Sequence, residues 1–73
     1  MDNSIYTKEY KNLFKKLKQA RMESGLDQIK VAKKTNRTQS YISKIETGQI
    51  KIDVIQLKQL AEIYKKSLDF FIK

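Results

Sequence analysis

Residues 27–48, DQIKVAKKTNRTQSYISKIETG, contain two short helical patterns separated by a polar turn. Asp27 and Thr38 stand before these patterns and are favourable helix N-caps, because their side-chain oxygens can accept hydrogen bonds from free backbone N–H groups of the first turn. The stretch therefore predicts two helices, over about 27–34 and 39–47, that must pack against each other at close range.

The turn between the two patterns consists of Thr35, Asn36 and Arg37. Asn36 stands where a left-handed backbone is needed, and Asn is the best non-glycine residue for that conformation. Gly48 follows the second pattern and is expected to end it with a left-handed residue as well. The 27–48 stretch thus has a start and a stop for each helix.

The apolar residues of this stretch predict which sides of the two helices face each other. Val31 and Ala32 point inward from the first helix, and Ile42 and Ile45 point inward from the second. The second helix then keeps an outward face made of Gln39, Ser40, Tyr41, Ser43 and Lys44. This face is rich in hydrogen-bond donors and has no carboxylate, so it suits base edges and phosphates better than apolar partners.

The stretch resembles the helix-turn-helix of the lambda-repressor/Cro-like (XRE) family of DNA-binding proteins. The matching residues are Gln28, Ala32, the run TQSYISKIE at 38–46, and Gly48. The resemblance extends to Arg21, Gly25, Leu26, Leu57, Leu60, Ala61, Ser67, Leu68 and Asp69, and so covers about residues 10–72. Asn36 stands where the family usually has glycine, and Arg37 stands where it usually has an apolar residue.

The resemblance implies an all-α fold, a compact five-helix lambda-repressor-like domain whose 39–47 helix enters the major groove of double-stranded DNA. It implies base contacts from Gln39, Ser40, Lys44 and Arg37, with Gln39 suited to adenine and Lys44 to guanine. It implies phosphate contacts from Gln28, Thr38, Tyr41, Gln49 and Lys51. It also implies a structural ion pair between Arg21 and Glu46, and a transcriptional regulator of repressor type.

The net charge of +8 is concentrated in one part of the chain. Residues 8–51 contain twelve cations and four anions, whereas residues 52–73 contain four cations and three anions. A basic face attracts polyphosphate and releases its counterions. The alternative is a lysine-rich solvated surface, which explains individual lysines better than it explains the asymmetry.

The chain has neither cysteine nor histidine. Disulfides, thiolate chemistry, zinc sites and the usual general base are therefore excluded, and the serines have no base to activate them. We expect no enzyme activity, no metal and no cofactor. Without an apolar leader or a membrane-length apolar run, the sequence predicts a cytoplasmic protein with no membrane partner.

The 73 residues predict one domain, in which residues 1–6 are frayed. We expect three more helices around the helix-turn-helix. The first is capped by Thr7 and ends near residue 24. The fourth covers about 54–64 with Val54 facing inward, and the final helix covers 68–72. Ile50 and Ile52 are expected to anchor the loop before the fourth helix. We expect no effector domain in so short a chain, and therefore no small-molecule ligand.

The final helix carries Phe70, Phe71 and Ile72, which cannot all be buried because adjacent helical positions point in different directions. This cluster predicts the interface of a homodimer that binds a palindromic operator. One alternative is a protein-interaction module on the same fold, such as an antitoxin or a regulator-binding partner, and outward-pointing Ile29 favours it. Another is a cationic amphipathic helix at a membrane surface, but the apolar side of the first helix is needed for the core.

Overall fold

The computed structural model describes residues 8–72, which form five α-helices and, within that range, no strand. The helices are α1 (Lys8–Glu23), α2 (Gln28–Thr35), α3 (Gln39–Thr47), α4 (Val54–Tyr64) and α5 (Leu68–Ile72). The all-α five-helix architecture is therefore confirmed. The expected cap Thr7 and the expected fraying of residues 1–6 lie outside the described residues. No helix within residues 8–72 has both the length and the apolar character that crossing a membrane would require.

Local capping chemistry sets the starts of three helices. The side chain of Asp27 accepts a hydrogen bond from the backbone N–H of Lys30 at 2.8 Å. Thr38 does the same for the N–H of Tyr41 at 3.1 Å. At the start of α4, Asp53 accepts from the N–H of Gln56 at 2.7 Å. These contacts satisfy first-turn donors that would otherwise be unpaired.

Left-handed residues end three helices: Asn36 with φ 57°, Gly48 with φ 78° and Lys65 with φ 58°. Asn36 therefore has the conformation that the sequence predicts. Thr35, expected in the turn, is instead the last residue of α2. Its hydroxyl donates back to the carbonyl of Val31 at 2.9 Å, which satisfies this buried polar side chain.

The core draws on all five helices. Its buried members are Leu17, Ala20, Val31, Ala32, Ile42, Ile45, Leu57, Leu60, Ala61, Tyr64 and Phe71. Helix α3 packs against both α1 and α2, and α1 also packs against α5. Among residues 8–72, the helices that pack against α3 cover its inner side, while Gln39, Ser40 and Lys44 on its outer side are exposed.

The segment between α3 and α4 is anchored to α1. Ile50 and Ile52 are half-buried and pack against the core, as expected. The Tyr10 hydroxyl donates to the carbonyl of Ile50 at 3.3 Å and accepts from the N–H of Ile52 at 3.1 Å. This pair of bonds fixes the backbone beside the C-terminal end of α3.

The expectation that Val54 faces inward is wrong, because its side chain is 67% exposed. Val54 is seven residues before the buried Ala61 and so nearly shares its helical phase, but it lies in the first turn of α4, where it is left uncovered. The buried first-turn position is Gln56, whose amide donates to Gln59 Oε1 at 2.6 Å.

The C-terminal aromatic cluster requires a correction. Phe71 is 2% exposed and belongs to the core of the domain, so its ring is not on the surface. Phe70 is half-buried, packs edge-on against Phe71 and lies beneath the ammonium groups of Lys16 and Lys66, which are 5.6 and 4.8 Å from its ring centroid. Of the three expected interface residues, Ile72 alone is largely exposed, at 67%.

Candidate nucleic-acid interface

Helix α3 separates residues that hold the fold from residues that face solvent. Ile42 and Ile45 are almost completely buried, and Glu46 is 6% exposed. Gln39, Ser40, Lys44 and Thr47 are exposed, while Tyr41 and Ser43 are half-buried. Glu46 is the one acidic residue between positions 36 and 52, and it is turned inward. The outward face of α3 is therefore polar and lacks negative charge.

An ion pair connects α3 to α1. Arg21 Nε is 2.7 Å from Glu46 Oε2, and Arg21 Nη2 is 3.1 Å from Glu46 Oε1. The two side chains are only 11% and 2% exposed. The hydrogen bonds that Arg21 donates to Glu46 hold the pKa of Arg21 above its ordinary value. The pair that the sequence implies is thus present in bidentate form, and it fixes the angle of α3 relative to α1.

Gln28 connects the start of α2 to residues near both ends of α3, Gln39 and Glu46, which lie on the same side of that helix. Its Nε2 donates to Glu46 Oε1 at 3.1 Å, and its Oε1 accepts from Gln39 Nε2 at 3.4 Å. A carboxamide nitrogen carries two N–H donors, so this amide keeps one beyond its bond to Glu46. The structure therefore brings Gln28 and Gln39 together, which the sequence did not predict.

Arg37 and Tyr41 form a second contact at the start of α3. The guanidinium carbon of Arg37 lies 3.7 Å from the centroid of the Tyr41 ring. Burial raises the pKa of Tyr41, and the positive charge of Arg37 partly offsets that rise. A spacing of four residues is a sequence signal for a side-chain contact on a helix, but Arg37 precedes α3, so the sequence places it in the turn.

The remaining candidates lie around the rim of α3 and are exposed. Thr38 uses its hydroxyl oxygen as the N-cap of α3. Gln49 follows Gly48 and donates through Nε2 to Thr47 Oγ1 at 3.1 Å. Lys51 lies in the segment that Tyr10 anchors to α1. Thr38 and Gln49 thus flank the two ends of α3, and Lys51 lies in the anchored segment that follows it.

The positions of these side chains follow from helical geometry. Successive residues of an α-helix are separated by roughly 100° around the axis. Gln39 therefore faces the α2 side, where Gln28 lies, and Tyr41 faces nearly the opposite direction, about 200° away. Ser40, Lys44 and Thr47 occupy the middle of the exposed face. The surface thus has a central strip and two distinct edges.

The comparison with known families gives one match, to the family described as helix-turn-helix, over residues 17–71. The matched region begins within α1 and ends within α5, so it includes the whole surface described above. No curated protein and no solved structure matches the chain.

Proposed function

The chain belongs to the lambda-repressor/Cro-like (XRE) helix-turn-helix family of DNA-binding regulators, and we propose that it is a sequence-specific transcriptional repressor that inserts α3 into the major groove. One observation carries this proposal: the outward side of α3 presents polar donors and no carboxylate. Proteins of this family bind DNA and are not typically catalysts. We propose that this protein acts in the cytoplasm of a prokaryotic cell.

The proposed base contacts come from the first turn of α3 and from the middle of its exposed face. Gln39 can pair bidentately with N6 and N7 of adenine, and Lys44 can donate to O6 or N7 of guanine. Ser40 can bond to either base. Both Ser40 and Lys44 are exposed, and Gln39 is oriented by Gln28 before any DNA arrives.

Phosphate binding is assigned to the two edges of α3. On the α2 side, the remaining amide donor of Gln28 can bind a phosphate, assisted by the free backbone donors at the start of α2. On the opposite side the candidates are Thr38, Tyr41, Gln49 and Lys51. These contacts would set the register of the protein on the duplex, while the bases supply the specificity.

A protein-interaction module, such as an antitoxin or a regulator-binding partner, is the second candidate. The observation that favours it is Ile29 on α2, whose side chain is 51% exposed. The polar face of α3 does not suit an apolar partner surface, so this candidate would have to bind through α2. Failure to enrich any sequence from a random duplex library would favour it over the first.

The decisive test is selection of bound sequences from a random duplex library, followed by titrations with the Gln39→Ala variant. We expect the variant to lose roughly 1–3 kcal/mol on the selected site and to relax one base position, because the bidentate pair to that base is lost. Gln19→Ala is the matched control, since Gln19 is exposed on α1. An unchanged base preference in Gln39→Ala would contradict the assignment.

We further propose that the working form is a homodimer on a palindromic operator, joined through α5. One recognition helix reads few base pairs, and two-fold symmetry doubles the site. Leu68 and Ile72 supply exposed apolar surface on α5, at 39% and 67% exposure. Residues 52–73 are nearly neutral, so two copies could approach there without strong repulsion.

The dimer is tested with a matched pair of substitutions at equally exposed apolar residues. Ile72→Lys should give a monomer in sedimentation equilibrium and weaken operator binding, because it places a cation at the contact. Met22→Lys, at a residue that is 62% exposed on α1, should change neither. One wild-type protomer per duplex on a target without two-fold symmetry would rule the dimer out.

A further inference from the structure

The guanidinium of Arg37 lies over the aromatic ring of Tyr41, and Arg37 is an exposed residue. Its guanidinium carbon is 3.7 Å from the centroid of Tyr41, a distance at which the two planes stack. Within residues 8–72, the ion pairs are Arg21 with Glu46 and Lys66 with Glu23, so no carboxylate in that range neutralises Arg37. The N–H groups of a stacked guanidinium lie in its plane, so they remain available for an anion.

The platform beneath Arg37 is itself fixed. Tyr41 is half-buried and packs against the core. Burial raises the pKa of Tyr41, and the charges of Asp53 and Tyr10 raise it further, so both groups lie near its phenol. Tyr10 anchors that segment through the backbone of Ile50 and Ile52. The stacked pair therefore sits on a rigid part of the fold.

The location of the pair determines what it can reach. A helix with its side chains is about 10–12 Å across and the major groove is about 12 Å wide, so the helix fills the groove. Its central strip then faces the bases and its two edges face the sugar–phosphate strands. Tyr41, about 200° from Gln39, lies on the edge next to the segment 49–53. Arg37 is stacked on that edge.

We infer that Arg37 and Tyr41 form one phosphate-binding unit, in which Tyr41 positions the Arg37 guanidinium for a backbone phosphate at the edge of the major groove next to the segment 49–53. This inference rests on the proposed function and replaces the base contact expected for Arg37. A stacked guanidinium has already lost much of its rotamer freedom, so binding restricts it less. Arg37 then contributes affinity and salt dependence, but no base preference.

The stack is tested first in the free protein, without DNA. A positive charge beside a phenol favours its ionised form, so Arg37→Gln should raise the pKa of Tyr41 in a tyrosine-resolved NMR titration. Lys34→Gln is the matched control, because Lys34 lines a pocket formed by α1, α2 and the α4–α5 region, to which no residue of 36–53 contributes. An unchanged Tyr41 titration in Arg37→Gln would overturn the stack.

The phosphate assignment is tested by the salt dependence of binding to the selected duplex and to a scrambled duplex of equal length. Arg37→Gln should reduce the slope of log affinity against log salt by about one for each bound protomer. It should also weaken binding to both duplexes equally, by roughly tenfold or more, as expected for the loss of a hydrogen bond to a charged group. A changed base preference with an unchanged slope would make Arg37 a base reader and overturn the inference.

The role of Tyr41 is tested by a double-mutant cycle. Tyr41→Phe keeps the platform, so Arg37→Gln should have its full effect in that background. Tyr41→Leu removes the platform, so the effect of Arg37→Gln should shrink; additive effects would overturn the unit. Circular dichroism checks folding, and if Tyr41→Leu does not fold, the Arg37→Gln results still decide the phosphate assignment.

The failure of the proposed function and the failure of this inference have different results. If the wild-type protein binds no duplex, the proposed function itself is wrong. If the wild-type protein binds normally and Arg37→Gln leaves the salt slope unaltered, only this inference is wrong.

Discussion

Glu46 is a carboxylate that the fold retains in its interior because three hydrogen bonds satisfy it. Two come from Arg21 and one from Gln28. An ion pair of this kind adds little net stability over an apolar replacement, but losing one partner leaves the other charge buried and unpaired. Glu46 therefore serves to fix geometry, and its removal should be costly.

We predict that Glu46→Ala lowers the free energy of unfolding by roughly 3–5 kcal/mol, measured by denaturant titration. Glu62→Ala, at an exposed position on α4, is the control and should change stability by less than about 0.5 kcal/mol. The cycle of Arg21→Met, Glu46→Leu and the double variant measures the coupling. If the two single effects simply add, Arg21 and Glu46 do not interact in solution.

For individual residues, the sequence predicts a contact only where the two partners are close in the chain or where a family resemblance supplies the pair. The cap bonds of Asp27 and Thr38 span three residues and can be read from residue type. The Arg21–Glu46 pair spans 25 residues, and nothing in the local pattern selects it. The bonds from Tyr10 to the segment 49–53 span about 40 residues and were missed for the same reason.

The C-terminal end of α3 depends on a glycine for two separate reasons. Gly48 has φ 78°, which side-chain-bearing residues rarely adopt. A Cβ at this position would also lie 2.7 Å from Cζ of Phe14, a partly buried ring packed against the core. Gly25 has a similar φ of 74°, but a Cβ there would meet no atom within 4 Å.

These two glycines form a matched pair for measurement. We predict that Gly25→Ala costs roughly 1–2 kcal/mol of stability, which is the price of a left-handed alanine. Gly48→Ala should cost about 1–3 kcal/mol more, because the Phe14 ring must shift to accept the methyl group. Thermal and denaturant unfolding of both variants provides the comparison. Equal losses would mean that Phe14 moves aside freely.

The existence and bounds of the helices could be predicted because caps and apolar spacing are properties of neighbouring residues. The sequence could not predict which apolar residues become buried, because the burial of a residue depends on where other helices end. Val54 has the right phase for burial and is exposed. Phe71 and Ile72 are adjacent and equally apolar in type, yet one is core and the other is surface, because α5 turns only one side toward α1.

Three tyrosines link the stability of the whole domain to alkaline pH. Burial raises the pKa of Tyr10, Tyr41 and Tyr64, and that of Tyr64 rises furthest. A folded pKa above the unfolded one means that stability is complete below the unfolded pKa, near 10, and is lost as pH rises beyond it. The folded domain should therefore weaken above pH 10.

We predict that Tyr64→Phe removes a large part of this alkaline loss. In the wild type, ionisation of Tyr64 in the unfolded chain should cost up to roughly 1 kcal/mol per pH unit above 10, after a discount for solvent screening. Lysine titration affects both proteins alike, so the difference between their unfolding free energies at pH 7 and pH 11 isolates Tyr64. A difference that is the same at both pH values would contradict the prediction.

The contact between Gln28 and Gln39 affects how such a protein could evolve to recognise a different DNA sequence. The proposed base-contact residues Ser40 and Lys44 are exposed and, within residues 8–72, make no side-chain hydrogen bond to another helix, so exchanging them would alter the proposed base contacts and leave the scaffold intact. Gln39 is tied to Gln28, which in turn bonds to Glu46. A replacement at Gln39 would therefore also remove a partner of Gln28, a constraint that replacements at Ser40 and Lys44 do not carry.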